Sequence, residues 1–231
     1  MRISVFWVVS CLAATGIAAS PVQAQSELVI DDFTNSPYKA VFVNHPSFLT
    51  EYQTGATIVG GVRQTSLTVS SAVPSFGQPT RLQIRPNGAM VISAGYKSYF
   101  GLVLGYGYDA TGGISGLNLN LSGGGGECLG CDRFRINFDG SDSELGYLMQ
   151  VHDRDGNIAT LNASESVAGR LEPFHVDFAF ADFEQDSAHP VDWNHIDFVF
   201  VLFQTGNLLG GHDFAVTKIS AIPPPPPEGV D

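Results

Sequence analysis

The chain has 231 residues, 44% hydrophobic and only 15% charged, with 26 Gly and 16 Phe. It can bury one sizeable core, which excludes a globally disordered chain and a minimal peptide scaffold. Acids outnumber Lys and Arg 23 to 11, a formal charge of −12, and the nearest thing to a cationic cluster, Arg133 and Arg135, sits among Asp132 and Asp139, so neither nucleic acid nor an anionic membrane surface is an expected partner.

Residues 1–24 read as a secretory signal peptide. Arg2 is a minimal charged start, Ile3 to Ala19 the apolar run, and Val22-Gln23-Ala24 the small-residue cleavage site, so the mature chain is expected to begin at Gln25. Gly16 and the Ser20-Pro21 break make the run too short for a comfortable membrane span. Val8-Val9-Ser10-Cys11 has the form of a lipoprotein site, but the apolar core ahead of it would be very short, so Cys11 is expected to leave with the leader. The expected location is secreted or periplasmic, with no membrane association after cleavage. Cys128 and Cys131 are then the remaining pair, in an oxidising compartment.

Beyond the leader, short alternating runs are punctuated by Gly, Pro, Asn and Asp, and no amphipathic helix is evident. Strands are expected at Val29–Phe33, Thr57–Val62, Ser66–Ser71, Arg81–Arg85, Ala89–Ser93 and Phe100–Tyr106. Leu117 to Ser122 places Leu at every second residue, the period of a strand with one buried face, and Phe134 to Phe138 does the same with Phe and Ile. Leu145 to His152 and Asn157 to Asn162 read as a hairpin turned through Asp153-Arg154-Asp155-Gly156. Phe174–Phe180 and Phe214–Ala221 are further strands, and Ile196 to Phe203, apolar on both faces, suits a central strand packed on both sides. The fold class is all-β: an antiparallel two-sheet, jelly-roll-like β-sandwich over residues 25–222. Pro223 to Pro227 opens a proline-rich tail over 223–231 that cannot join a sheet.

The succession Val29-Ile30-Asp31-Asp32-Phe33, Gly60-Gly61-Val62-Arg63, Leu117 to Ser122, Asp132-Arg133-Phe134-Arg135-Ile136, Asp155-Gly156-Asn157 and Trp193-Asn194-His195-Ile196-Asp197-Phe198 resembles secreted bacterial jelly-roll proteins of the galactose-binding-like type, many of which carry PEP-CTERM sorting tails. The opening Ile-Asp-Asp-Phe is also similar to some carbohydrate-binding modules and to the complex I intermediate-associated protein family. The resemblance implies the sandwich, export and, frequently, no known activity. Pro226-Pro227-Glu228 resembles the sorting motif, but no hydrophobic segment and basic cluster follow it, so a released or periplasmic protein is expected. In the families resembled, acids near the first strand can contribute to a structural calcium site; that implies Asp32 as a ligand, against the plainer reading of a surface carboxylate at a strand start.

Cys128-Leu129-Gly130-Cys131 follows Gly123-Gly124-Gly125-Gly126-Glu127. A redox dithiol would want a helix N-terminus and zinc would want two more ligands, so a local disulfide pinning the glycine loop is expected. Asp153, Asp155 and Asn157 fail the EF-hand pattern, since Gly156 comes two positions early and the distal Glu is missing. No pair of carboxylates stands where a glycosidase would need it. Asp182, Glu184 and Asp186 share a parity but read as a solvated loop, and the histidines lack a nucleophile elbow. Among aromatics, Tyr106 and Tyr108 are in phase with Phe100, Leu102 and Leu104 and read as core, whereas Tyr96 and Tyr99, flanking a turn, and Trp193 are the ligand-binding candidates. The expected function is a secreted noncatalytic module that binds glycan or extracellular matrix, its partner a polysaccharide or the cell-surface matrix, with a structural surface or matrix protein without a small ligand and a polysaccharide-acting hydrolase as the alternatives.

Overall fold

The computed structural model describes residues 27–42, 47–71, 79–95, 98–122, 128, 130–167, 169–205 and 211–225. The expected signal peptide at 1–24, the glycine run at 123–127, Tyr96 and the end of the tail beyond 225 lie outside the described residues.

In chain order the strands are β1 (Leu28–Asp31), β2 (Tyr38–Phe42), β3 (Ser47–Thr54), β4 (Val62–Ser71), β5 (Thr80–Arg85), β6 (Ala89–Ala94) and β7 (Ser98–Tyr106). They continue as β8 (Arg133–Ser141), β9 (Leu145–Asp153), β10 (Ile158–Val167), β11 (Phe174–Ala179), β12 (Glu184–Gln185), β13 (Ile196–Thr205) and β14 (His212–Ile222). The first sheet runs β11-β8-β14-β6-β5-β2, with β1 on β14, and the second runs β12-β10-β9-β13-β7-β4-β3. The paired strands are antiparallel. The protein is a two-sheet β-sandwich.

Alternation explains which face meets which. In β5 Thr80, Leu82 and Ile84 are buried while Arg81, Gln83 and Arg85 are exposed, the period-two pattern of a strand with one face in the core. The two inner faces interdigitate through aromatic rings. Phe203 of β13 meets Phe138 of β8 edge-on at 6.2 Å and Phe214 of β14 at 5.4 Å, while Phe100 of β7 stacks on Phe214 at 5.8 Å. The structure joins Cys128 and Cys131, both buried, by a disulfide at the entry to β8, with their Cα atoms 5.7 Å apart.

Three expectations need correction. Of the strand expected at Thr57–Val62, only Val62 lies in one, as the start of β4; the rest is a turn with a short 3-10 segment at Val59–Gly61, because Gly60 and Gly61 take φ of 68° and 77°, outside the strand region. Leu117 to Ser122 buries Leu119 and Leu121, as its period required, yet forms one bridge, Leu119 to Ile196; Asn118 at φ 54° breaks the extended run. Tyr108 leaves the core face, for a reason given below. β2, β3 and β12 were not expected; β3 mixes Ser, Thr, Glu and Gln with Phe, Leu and Tyr, and its buried position 53 is a glutamine.

That glutamine belongs to a polar network inside the sandwich. The ladder of β1 shifts register between Val29 and Asp31, so Ile30 and Asp31, consecutive residues, both turn inward. Asp31 Oδ2 accepts from Arg63 Nη1 at 2.7 Å and from the Tyr106 hydroxyl at 3.1 Å, while Oδ1 accepts from the Phe33 N–H at 2.9 Å. Arg63 Nε donates to Gln53 Oε1 at 3.2 Å, Thr65 donates to the same oxygen at 2.6 Å, and the guanidinium lies 5.4 Å from the Phe33 ring centre. Asp31 and Arg63 are fully buried and belong to different sheets, so the pair is a cross-tie. Burial pushes the Asp31 carboxyl up, with Arg63 pulling it back, and burial beside Asp31 holds the Tyr106 hydroxyl well above its ordinary value.

Removing one partner of such a pair strands the other in low dielectric. Arg63→Ala should therefore lower unfolding free energy by about 3–5 kcal/mol in urea titration, while the joint change Asp31→Leu with Arg63→Met should recover most of it. A single variant within about 0.5 kcal/mol of the parent would refute the cross-tie.

Candidate functional site

The second sheet has a register that sorts its two faces cleanly. Gln53, Arg63, Tyr106, Val199, Val151 and Ala159 pair in one continuous row from β3 to β10, and every one is buried. The adjacent row, Tyr52, Gln64, Gly105, Phe200, Gln150 and Thr160, therefore points out of the sandwich. It crosses six strands, about 24 Å at ordinary strand spacing.

Gly105 contributes no side chain to this row, and its neighbours close over the gap. A Cβ there would lie 2.8 Å from Gln64 Oε1, 3.2 Å from the Tyr108 ring and 3.3 Å from the Phe200 ring. Tyr108 reaches this position because Gly107 takes φ 116°, a conformation that reverses the phase of the strand just past β7. The expected continuation of the core face through Tyr108 is thus wrong by one turn of the backbone. The loop that follows folds back until Gly112 touches the Tyr52 ring, with no room for a Cβ, and Asp109 Oδ1 holds that loop by accepting from the N–H groups of Thr111 and Gly113 at 2.8 and 2.9 Å.

The result is a half-buried aromatic surface. Tyr52 and Tyr108 meet edge-to-face at 5.7 Å, Tyr108 meets Phe198 at 5.7 Å and Phe200 at 6.3 Å, and the Phe198 and Phe200 rings lie within 8° of parallel at 5.9 Å. The His152 imidazole sits 5.2 Å from the Phe200 ring and 6.0 Å from Phe198. β13 was expected to pack on both sides; it is central, between β9 and β7, but Phe198, Phe200 and Leu202 form part of this outer, half-buried face.

Polar groups are threaded between the rings. Gln64 Nε2 donates to the Tyr52 hydroxyl oxygen at 3.0 Å. Gln150 Nε2 donates to Thr160 Oγ1 at 3.0 Å, which leaves Gln150 Oε1 to accept from His152 Nε2 at 2.9 Å. In that arrangement the neutral imidazole carries its proton on Nε2, Nδ1 is an acceptor, and the Thr160 hydroxyl is left to donate. Burial pushes the His152 imidazole below its ordinary value, opposed by the nearby Asp153 charge, and burial with the neighbouring Tyr52 pushes the Tyr108 hydroxyl up. The surface thus offers flat apolar rings, amides, hydroxyls and an uncharged imidazole.

The structure does not gather the expected binding residues at one place. Tyr99 shares the outward parity of Gly105 but pairs with Ser70 near the start of β7, roughly 20 Å along the strand. Trp193 lies toward the opposite end of the strands from Tyr99, three residues before β13, stacked on Phe180 at 4.2 Å and 5° and flanked by Phe134 and Phe183. Asp32 is half-buried; its Oδ1 accepts from the Thr34 N–H at 3.0 Å and from the hydroxyls of Thr34 and Thr57 at 2.6 and 2.5 Å. Asp153 Oδ1 accepts from the N–H groups of Asp155 and Asn157, so it organises the β9–β10 turn, where Gly156 has φ 83°. Among the described residues no three His, Cys, Asp or Glu gather to hold a metal. Tyr52, Gln64, Gln150, Phe198 and Phe200 were missed. The available signal was Gln150 and His152 alternating with Met149 and Val151 in the hairpin, opposite a β13 whose outward residues are aromatic.

No protein-family profile matches the chain, and no curated protein matches it. Among solved structures it is similar to the family 11 carbohydrate-binding module of a cellulosomal cellulase of Clostridium thermocellum, at 13% identity and a TM-score of 0.40, covering 90% of this chain and 100% of that one. A solution structure of a family 11 module gives 15% and 0.42, covering 89% and 99%. A family 61 carbohydrate-binding module solved with β-1,4-galactotriose gives 11% and 0.31, covering 78% and 91%. A tailspike enzymatic domain of bacteriophage CBA120 gives 10% and 0.31, covering 78% of this chain and 21% of that one. At these values nothing about the site follows from the likeness.

His152 and Asp192 share one sign. The folded-state value of His152 is depressed, so its contribution is present above 6.5 and is lost as pH falls below that value, where the unfolded chain takes up the proton first. The carboxyl of Asp192, bonded by His195 and Asn194, is held down at about 2, and its contribution is lost as pH falls from 3.8 through that value. Thermal melts should therefore show stability falling in two stages on acidification, and His152→Gln should flatten the stage beginning near 6.5. A parent protein equally stable across that first stage would contradict the assignment.

Proposed function

We infer that the protein is an exported, noncatalytic glycan-binding module whose ligand lies across the outer face of the second sheet. The observation that carries this reading is the row Tyr52, Gln64, Phe200, Gln150 and Thr160, capped by Tyr108, Phe198 and His152, on six adjacent strands. A pyranose ring has faces rich in C–H groups and an equator of hydroxyls. Flat aromatic rings take the first, and amides, a hydroxyl and a neutral imidazole take the second. The row's length suits a run of several sugars rather than one. Its functional groups are mostly those of recognition; hydrolysis of a glycosidic bond would ask for two carboxyls flanking the ligand, and the row carries one, Glu184 of β12, which pairs with Thr160 at its end. Export rests on the leader expected at residues 1–24 and supplies the setting in which polysaccharides are met.

A glycan array followed by calorimetry on the mature protein tests the reading. Binding to a polysaccharide is expected, and Phe200→Ala or Tyr108→Ala should weaken it about tenfold or more, the loss of roughly one stacking contact, with the far-UV spectrum unchanged. Failure to bind any polysaccharide would favour a structural surface protein, and release of sugar from one would favour a hydrolase.

A further inference from the structure

The chain is strongly acidic, yet six of its nine described Lys and Arg residues, Lys39, Arg81, Arg85, Arg133, Arg135 and Lys218, stand on the outer face of the first sheet, opposite the aromatic row, while Arg63 is buried and Arg154 and Arg170 lie elsewhere. That face also carries Asp139 and Asp213, the latter two strands from Arg81 in the same row. Three of the six cations are committed. Arg133 pairs with Asp132 at 2.7 Å, Arg135 makes a two-pronged bond to Asp177 at 2.7 Å on each arm, and Lys218 pairs with Glu27 at 2.8 Å.

The other three are different. Lys39, Arg81 and Arg85 are exposed, and none has an ion-pair partner among the described residues. Lys39 of β2 pairs directly with Gln83 of β5, which puts it diagonally between Arg81 and Arg85. Diagonal neighbours on antiparallel strands stand about 7–8 Å apart, within reach of long side chains. Lys39 thus repels both arginines, which stand roughly 13 Å apart on β5, unless an anion lies between them. The same face carries an open groove of ≈ 600 Å³ lined by Glu27, Arg135, Asn137, Lys218 and Pro223 to Pro225. A double register shift in β14 turns Thr217 and Lys218, consecutive residues, outward beside it.

We propose that this face is a second binding surface, independent of the aromatic row, for an acidic polysaccharide whose carboxylate or sulfate groups bridge Lys39, Arg81 and Arg85. Charge complementarity selects an anion, and the sparseness of the free cations selects among anions. A duplex nucleic acid presents a charge every ~1.7 Å, which three cations on a protein of charge −12 cannot match against long-range repulsion. A glycan carrying one acid per sugar or two spreads its charge on the scale of the strand spacing. With neutral glycan on one side and acidic glycan on the other, a single sandwich would cross-link two matrix polymers.

The test is affinity electrophoresis and biolayer interferometry of the mature protein on polygalacturonate and heparin, with neutral dextran and duplex DNA as comparison ligands. Binding to an acidic polysaccharide is expected, weakening about tenfold or more as salt rises from ~20 to ~200 mM. The triple change Lys39→Gln, Arg81→Gln and Arg85→Gln should abolish it, and Lys39→Arg, Arg81→Lys and Arg85→Lys together should retain it. Phe200→Ala should leave it intact, which separates this proposal from the aromatic row. Salt-insensitive binding, equal affinity for dextran, or tighter binding to DNA would overturn the proposal. So would a Gln triple variant that merely aggregates at unchanged affinity, the result expected if these cations only protect the edge strand β2 from pairing with another chain.

Discussion

Asp31 and Arg63 form an ion pair at the centre of the sandwich, and the position of the aromatic face follows from it. Arg63 precedes Gln64 and pairs across the ladder with Tyr106, while its Nε bonds Gln53, the residue after Tyr52. The buried row thus lies immediately beside the outward row and fixes its backbone. Nη2 of Arg63 and Nε2 of Gln53 find no partner among the described residues, so the network is not built for maximal stability. An apolar pair could fill the same space at comparable or greater stability. What the polar version contributes is directional: each bond is satisfied in one register only, and a one-residue slip of β3 or β4 would turn Tyr52 and Gln64 into the core.

Glycine sets the other half of the geometry. Without the φ of 116° at Gly107, Tyr108 would continue the inward series of Leu104 and Tyr106. Without the missing side chain at Gly105, Gln64, Tyr108 and Phe200 could not converge. A rigid ladder beneath and a backbone reversal at its end together place rings and amides on strands rather than loops, which is how a binding face keeps its shape without ligand. The first sheet carries charge instead: six of the nine described Lys and Arg residues stand on its outer face.

Much of the fold was legible because strand alternation is a local property. β5, β8 and the β9–β10 hairpin show their buried parity in the residues themselves, and Gly156 announces the turn. β2 and β3 escaped because edge strands carry polar or mixed residues, and a buried Gln53 looks like a surface residue until Arg63 and Thr65 are seen on either side of it. The candidate site was less legible, since no stretch of sequence contains it. Tyr52, Gln64, Phe200 and Gln150 become neighbours only through the register of five strands, and reading Tyr108 by parity alone gave the wrong face because one positive φ intervenes. Asp31 and Asp32 stand side by side in the sequence; only the shifted ladder of β1 reveals that one of the two is core and the other is not. The cationic triangle was hidden likewise, with Lys39 more than forty residues from Arg81 in sequence and diagonal to it in space.

The claim that the outer face of the second sheet is where ligand binds is tested most directly by amide chemical shifts of isotope-labelled mature protein during titration with cello-, xylo- and galacto-oligosaccharides. The account predicts that an oligosaccharide that binds shifts the amides of Gln64, Gly105, Tyr108, Gln150 and Phe200 together, with one apparent affinity, while those around Trp193 and Phe180 stay still. Shifts confined to the Trp193 end of the sandwich or to Tyr99, with the Phe200 row unmoved, would contradict it.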